Sequence, residues 1–367
     1  MGLFSGKKSN QGLTQEAVLN ILRTVQDPDL HRDLVSLGMI KDLKIEEGII
    51  SFTLELTTPA CPMKEKMKND CLQALSQLEG VADVKINMTA NTNAQRNMLQ
   101  QQQPIPGIQH VIAVSSGKGG VGKSTVAANL ALALKLTGAK VGLMDADAYG
   151  PNIPQMMGVD KQPSSDGNFI YPPEVDGMKV ISVGLVAPGD TPIVWRGPML
   201  HSLIQQFLFQ VSWGELDYLV VDMPPGTGDA QLSLTQHTAL AGAVMVTTPQ
   251  AVSQADVRRA IQMFRKVQVP VLGIVENMAF FICPDNNKQY DIFGSGAGEK
   301  LANEYGIPLL SRIPIDPRIA QGGDIGKPIV MAEPESPAAL EFRNLAGLVA
   351  QQISIASALS QPLPTLQ

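Results

Sequence analysis

The stretch "AVSSGKGGVGKST", from Ala113 to Thr125, decides the fold of this chain. It follows the apolar residues "VI" and precedes "VAANLALAL", a run typical of a buried helix. A strand, a glycine-rich loop ending in Lys-Ser-Thr and a helix, in that order, form the context of a phosphate-binding loop. A plain glycine-rich turn is the alternative, but it requires neither the lysine nor the hydroxyls. The stretch therefore predicts a nucleotide site at a strand-to-helix turn.

Each residue type in this loop has a part in binding phosphate. Glycines let successive N–H groups face phosphate oxygens, and the helix N-terminus adds a favourable dipole. We expect Lys123 to reach the β- and γ-phosphates, Ser124 to bind Mg²⁺ and Thr125 to contact the α-phosphate. The loop residues expected to surround the phosphates are Gly117, Lys118, Gly119, Gly120, Val121 and Gly122.

Two later segments place carboxylates at the ends of predicted strands. "LMDADAYGPN" carries Asp145 and Asp147, and "YLVVDMPPGTGD" carries Asp222. Carboxylates beside a phosphate site position metal and water. We therefore expect Asp222 to hold Mg²⁺ together with Ser124, and the following Gly226 to sense the γ-phosphate. Asp145 and Asp147 are expected at the same site, with a capping role as the alternative for both.

Seven short β-branched runs between residues 109 and 314 alternate with helical stretches. Strands that are apolar throughout, separated by amphipathic helices, indicate a mostly parallel sheet covered on both faces. Ligands of such sheets bind at the carboxyl ends of the strands. The predicted fold class is therefore α/β, with a P-loop NTPase domain at residues 109–357.

Residues 13–90 predict a small α+β domain in front of it. Thr14 can cap a first helix, and Ile50, Phe52 and Leu54 alternate with polar residues as in a half-buried strand. A second helix is expected to start near Pro62, followed by the strand "VADVKINM". The remaining segments are a flexible N-terminus at 1–12, a Gln/Asn/Pro-rich linker at 91–108 and a loose tail at 358–367.

Composition restricts the partners and the compartment. The 367 residues include 34 acidic and 28 basic side chains, a balance that disfavours nucleic-acid binding through phosphate neutralisation. No run of eighteen apolar residues exists, and no Lys or Arg follows Arg343 to form a basic amphipathic end, so no membrane partner is expected. Three cysteines, Cys61, Cys71 and Cys283, are too few for a disulfide framework and indicate the reducing cytoplasm.

Taken together, the motifs resemble one family. "GKGGVGKST", "DADAYGPN", "WRGPM", "VVDMPPGTGD", "IVENMAFF" and "DIFGSGAGEKLA" are similar to the Mrp/ApbC family of P-loop ATPases that carry iron-sulfur clusters. The front domain, with "LTTPACP", is similar to the iron-sulfur assembly domain of bacterial and plastid members. The resemblance implies ATP and Mg²⁺ as ligands and slow hydrolysis in a homodimer. It also implies a [4Fe-4S] cluster as cargo and apo iron-sulfur proteins as clients.

The resemblance also explains the additional lysine of the loop. In the deviant Walker A class to which that family belongs, the residue matching Lys118 reaches across a two-fold interface to the partner's nucleotide. There it stabilises the charge that develops on the phosphoryl group. By the same carry-over, Asp147 matches the residue that orients the attacking water. Asn277, in "ENM", matches the residue that recognises adenine.

The cysteines depart from the family pattern. Family carriers have C-x-x-C after "ENM", whereas here Cys283 is followed three positions later by Asn286. Two protomers therefore offer only two thiolates at this place, and a conventional cluster requires four. Cys61, between a strand and a helix, is a second candidate ligand, with a structural cap as its alternative. Cys71 lies on an apolar helix face, where core packing is expected.

Two functions follow from these observations. The first is an ATP-dependent carrier or assembly factor that transfers iron-sulfur clusters to apoproteins. The second is a dimeric ATPase switch that binds protein partners and has lost the cluster together with the second cysteine. An electron-transferring reductase is disfavoured, because the segment "DMPPGTGDAQLSLTQ" holds no cysteine to bind a cluster.

Overall fold

A computed structural model describes residues 13–28, 32–46, 48–56, 60–78, 80–90, 104–186, 197–226, 231, 234–235 and 238–359. The predicted flexible N-terminus, residues 91–103 of the predicted linker and residues 360–367 of the predicted tail lie outside this description. The chain divides into two compact units, residues 1–94 and 95–367. Within the described part, no helix is both long and apolar enough to cross a membrane.

The first unit consists of a three-stranded sheet (β3–β5), a short two-stranded sheet (β1–β2) and two helices. Its helices are α1 (Gln15–Leu22) and α2 (Lys64–Leu75), and its strands are β1 (Gln26–Asp27), β2 (Arg32–Asp33), β3 (Ile40–Glu46), β4 (Ile49–Leu56) and β5 (Asp83–Ala90). Strand β4 lies in the centre, antiparallel to β3 and parallel to β5. The α+β organisation confirms the prediction, although α2 starts at Lys64 rather than near Pro62.

Alternation and capping account for the local structure of this unit. Along β4, Ile50, Phe52 and Leu54 are buried while the residues between them are half-exposed. The Thr14 side chain accepts a hydrogen bond from the Ala17 N–H and caps α1. The buried face of β4 and the apolar faces of both helices form one core, in which Cys71 is fully buried.

The second unit contains the remaining elements. Its strands are β6 (Ile108–Ser116), β7 (Val141–Asp145), β8 (Ser164–Ser165), β9 (Ile170–Tyr171), β10 (Glu174–Val175), β11 (Met178–Ser182), β12 (Leu216–Asp222), β13 (Leu240–Thr247), β14 (Val271–Glu276), β15 (Phe281–Ile282), β16 (Gln289–Tyr290) and β17 (Leu309–Arg312). Its helices are α3 (Lys123–Leu136), α4 (Ile153–Met156), α5 (Val183–Val186), α6 (Gly197–Phe209), α7 (Ala251–Lys266), α8 (Ala297–Tyr305), α9 (Pro317–Asp324), α10 (Ile329–Ala332) and α11 (Pro337–Leu359).

Eight strands of this unit form one sheet in the order β10-β11-β7-β12-β6-β13-β14-β17. All neighbours are parallel except β10 and β11. The seven predicted strands are all present, and the predicted mostly parallel α/β fold is confirmed. Strands β7, β12, β6 and β13 are buried along most of their length. Because these four strands are parallel, their carboxyl ends meet at one edge of the sheet.

Helix α3 and a short hairpin follow strands β6 and β14 at this edge. Helix α3 follows β6 and contacts β6, β7 and β12, and it is buried over most of its length. Beyond β14 the chain forms the antiparallel hairpin β15–β16, which was not predicted. This hairpin carries Cys283 immediately after β15.

Candidate nucleotide site

The phosphate loop occupies the turn between β6 and α3. It ends at Gly122, which precedes α3 in the left-handed conformation, with a φ of 82°. Glycine is required there for space as well, because a Cβ atom at Gly122 would lie 2.1 Å from Asn277 Nδ2. At Gly117 a Cβ atom would lie 2.2 Å from the backbone carbonyl carbon of Asp256 in α7. The loop is thus held between α7 and the end of β14.

Lys123 is the centre of a buried charge cluster. Its Nζ lies 2.6 Å from Asp222 Oδ1 and 3.4 Å from Asp147 Oδ2. Asp222 is fully buried, and the nearby Ser124 hydroxyl favours its ionised form. Burial raises the pKa of Asp222, which the Lys123 ammonium opposes. The fold therefore brings together four of the residues predicted for catalysis and metal binding: Lys123, Ser124, Asp147 and Asp222.

The donor set fits a hydrated Mg²⁺ ion. Asp222 Oδ2 is buried, and in the described part of the chain it has no hydrogen-bond partner. A buried carboxylate oxygen without a partner costs free energy unless a cation or water satisfies it. Ser124, beside Asp222, adds a hydroxyl oxygen, and Mg²⁺ prefers such oxygen ligands together with substrate phosphates. These observations support, for Ser124 and Asp222, the metal-binding role that the sequence predicts.

Asp145 differs from its neighbours because protein groups already satisfy its carboxylate. It accepts hydrogen bonds from the Ser182 hydroxyl at 2.8 Å, the Asp147 N–H at 3.0 Å and the Ile153 N–H at 3.4 Å. Burial, with the nearby Asp222 charge, raises the pKa of Asp145 to about 8. Asp145 therefore holds in place the loop that carries Asp147. This structural role is similar to the capping role that was the alternative for Asp145.

A cavity of about 480 Å³ opens at the phosphate loop. Its walls include the predicted residues Lys118, Gly119, Gly120, Gly122, Lys123, Ser124, Thr125 and Asp147. Tyr149, Asn152 and Met278, which were not predicted as site residues, also line it. A second cavity of about 250 Å³ shares Thr125, Asn152 and Met156 with the first and continues between α3 and α9.

Three predicted residues have distinct surroundings. Lys118 lines the cavity, and within the described residues its ammonium has no carboxylate within ion-pair distance. The Gly226 N–H donates to the Ser116 carbonyl at 3.1 Å, so the loop after β12 is tied to the end of β6. Asn277 is buried, and its Nδ2 donates to the Val121 carbonyl at 2.9 Å, so it supports the phosphate loop. Its predicted contact with adenine stays a prediction.

Gln231 was also missed by the sequence analysis. It is fully buried, and its amide donates to the Ser115 hydroxyl and to the Pro224 carbonyl. It therefore joins the loop after β12 to β6. A single glutamine is not the signature of any nucleotide-binding motif, and only the fold brings Gln231 next to these two segments.

The three cysteines have different surroundings. Cys71 is fully buried in the core of the first unit, as expected, and burial raises its pKa to about 12. Cys61 is buried in the same core, three residues before α2. Cys283 is partly exposed on the β15–β16 hairpin, where its N–H donates to the Lys288 carbonyl. In the described part of the chain, no three His, Cys, Asp or Glu side chains are grouped to hold a metal ion.

Comparisons with known proteins agree with both units. Residues 107–350 match the family model described as NUBPL iron-transfer P-loop NTPase, and residues 15–88 match the one described as iron-sulfur cluster assembly protein. The chain is 52% identical over 351 residues to the iron-sulfur cluster carrier protein of Synechocystis sp., a match covering 94% of this chain and 99% of that protein. A chloroplastic Fe-S cluster assembly factor of Arabidopsis thaliana is 43% identical over 346 residues, or 92% of this chain and 64% of the plant protein.

Solved structures match the second unit. The nucleotide-binding protein of Archaeoglobus fulgidus, in complex with ADP, is 41% identical with a TM-score of 0.57, covering 65% of this chain and 93% of that one. The cell division ATPase MinD of Pyrococcus furiosus is 26% identical with a TM-score of 0.51, covering 65% and 98%. The two family models and the curated relatives confirm the resemblance to iron-sulfur cluster carriers seen in the sequence.

Proposed function

Since the chain belongs to the family of NUBPL iron-transfer P-loop NTPases, we propose that it is an ATP-hydrolysing carrier that delivers iron-sulfur clusters to apoproteins. The observation that supports this most strongly is the Lys123–Asp222 pair with its unpartnered carboxylate oxygen, which lies in the same unit as the partly exposed Cys283 thiol. The first gives the chain a means to bind Mg-ATP, and the second gives it a thiolate for the cargo.

ATP binding would exchange one set of contacts for another. Ser124 and Asp222 would hold Mg²⁺, which neutralises charge on the phosphates. Lys123 would leave Asp222 Oδ1 and reach the β- and γ-phosphates. Asp147, 3.4 Å from the same ammonium, would then be released to orient the attacking water. Burial makes each of these charge contacts stronger than it would be in water.

A homodimer is the proposed hydrolytic state. Lys118 stands at the cavity with no carboxylate partner among the described residues, as expected of a cation that acts on a second nucleotide. Residues after the strand ends also expose large apolar side chains: Tyr149 is 76% exposed and Val252 is 68% exposed. Exposed aromatic and aliphatic side chains around a polar site favour a protein partner on this face.

The proposed cargo is a [4Fe-4S] cluster bound through Cys283. One such thiolate from each of two protomers leaves two ligand positions to be filled, for which Cys61 is the other candidate. The client apoprotein would receive the cluster by exchanging its own thiolates for these. Since three cysteines are too few for the disulfide framework of a secreted protein, we propose the cytoplasm as the compartment.

One observation favours the second candidate function, an ATPase switch without cargo. Asn286 replaces the second cysteine of the family's motif, and it lies exposed on the hairpin turn. If the cluster has been lost, the dimer would still associate with protein partners in an ATP-dependent manner.

Anaerobic reconstitution with iron and sulfide separates the two functions. We expect about four irons per dimer and a visible absorbance band in the wild type, and loss of both in Cys283→Ala. Cys61→Ala tests the second ligand, and Cys71→Ala is the matched control that removes a buried thiol and should retain the iron. Transfer of the cluster to an apoferredoxin is the functional readout. Absence of specific iron in the wild type would establish the switch instead.

A further inference from the structure

A short connecting segment, residues 277–282, joins the nucleotide site to the Cys283 hairpin. At its start, Asn277 donates to the phosphate loop, and Met278 lines the phosphate cavity. At its end, β15 pairs with β16 and leads directly to Cys283. Cys283 therefore lies only five positions after Met278, the residue of this segment that lines the phosphate cavity.

Backbone hydrogen bonds hold this segment beside the residues that follow β17. The Ala279 N–H donates to the Ile313 carbonyl at 2.9 Å, and the Ile315 N–H donates to the Phe280 carbonyl at 2.6 Å. Met278 adopts a φ of 54°, which costs a non-glycine residue about 1 kcal/mol or more. The segment is thus fixed on one side and carries a strained residue at the point where it borders the cavity.

An ion pair joins β14 to β17 next to the segment, and its buried carboxylate also binds α8. Glu276, the residue before it, is fully buried, and its Oε2 accepts from Arg312 Nε at 3.1 Å. Glu276 Oε1 accepts from the Gly298 N–H of α8 at 2.8 Å. The guanidinium of Arg312 also lies over the Phe280 ring, at 5.5 Å from its centroid. One arginine therefore contacts both ends of the turn that contains Met278.

We propose that Glu276 and Arg312 are positioning residues that couple the phosphate cavity to the Cys283 thiol. Nucleotide phosphates packed against Met278 restrict the turn, and the Arg312–Phe280 contact carries that restriction to the hairpin. Filling the cavity therefore makes Cys283 less accessible, and releasing the nucleotide makes it more accessible. The inference rests on the proposed function only for the meaning of Cys283 as the cargo thiolate.

Alkylation of Cys283 measures this coupling without a cluster. The full chain is pulsed with N-ethylmaleimide, with and without saturating Mg-ADP, and label on the Cys283 peptide is counted by mass spectrometry. We expect the wild type to react at least about threefold more slowly with Mg-ADP. In Arg312→Ala the two rates should be equal, although calorimetry shows ADP bound with similar affinity. Arg312→Lys, which keeps the charge, should restore part of the difference.

The control is Arg258→Ala, which removes an arginine whose ion pair with Glu304 includes no residue of the segment and should keep the threefold difference. Light scattering must give one oligomeric state in every sample, so that dimer burial of the thiol is not the cause. If Arg312→Ala is unfolded by circular dichroism, Glu276→Gln replaces it. A wild type with bound ADP and an unchanged rate overturns the proposal, as does a folded variant that retains the difference. Cluster reconstitution can fail while this result stands, and the reverse also holds.

Discussion

At the scale of single residues, Lys118 and Lys123 have opposite surroundings, although they are five positions apart. Lys123 is buried and paired with two carboxylates, whereas Lys118 lines the cavity without such a partner in the described part of the chain. We expect Lys118→Ala to bind ATP about as well as the wild type but to lose hydrolysis by about a thousandfold or more, as when an arginine finger is removed. Phosphate release and nucleotide titration measure the two effects.

The matched control for that experiment is Lys161→Ala, which removes an exposed lysine outside the cavity. It should leave both binding and turnover unchanged. Turnover retained in Lys118→Ala would contradict the role across the dimer. A parallel loss of ATP affinity would instead assign Lys118 to binding within its own protomer.

At the scale of elements, the phosphate loop depends on its fit against α7. A Cβ atom at Gly117 would lie 2.2 Å from the Asp256 carbonyl carbon, whereas one at Gly119 would meet no atom within 4 Å. Overpacking of this kind costs about 2 kcal/mol. Gly117→Ala should therefore lower the unfolding temperature of the second unit by about 4–8 °C, and Gly119→Ala by less than about 2 °C. Calorimetry of both variants measures this, and equal temperatures would contradict the packing argument.

Strand β3 shows why some elements were not predicted. Its apolar residues Ile40, Leu43 and Ile45 do not keep a period of two, because the register shifts between Lys41 and Lys44. Asp42, within that shift, has a φ of 52°. A bulge adds one residue to a strand and reverses the alternation of faces, so a pattern search misses it. By contrast, β4 has no such break, and its alternation predicted it correctly.

At the scale of the whole molecule, the main sheet was predictable because its buried strands are apolar throughout. Parallel order then brings their carboxyl ends together, so Lys123 and Asp222 meet although 99 positions separate them. The two motifs that contain Lys123 and Asp222 were sufficient to predict that these residues lie at one site. The Glu276–Arg312 pair could not be predicted, because it depends on which strand lies beside β14 and no motif marks Arg312.

His110 connects the stability of this sheet to pH. It is buried at the start of β6, stacked at 5.7 Å on Tyr218 of β12, and burial lowers its pKa to about 4 against the opposing charge of Asp217. The unfolded chain binds the same proton near pH 6.5, so between the two values the unfolded state holds more protons and stability falls as the pH falls. At pH 5 the loss relative to pH 7.5 is about 2 kcal/mol from this residue.

His110→Gln should therefore be less sensitive to acid than the wild type, whatever its stability at neutral pH. Urea unfolding at pH 7.5 and pH 5 measures the difference, and the acid-induced loss should be smaller by about 2 kcal/mol in the variant. His201→Gln is the control, because it removes a histidine that is not fully buried and should keep the wild-type dependence. An equal loss in His110→Gln and the wild type would mean that His110 gains its proton as readily in the fold as in the unfolded chain. In that case other groups would have to account for acid sensitivity.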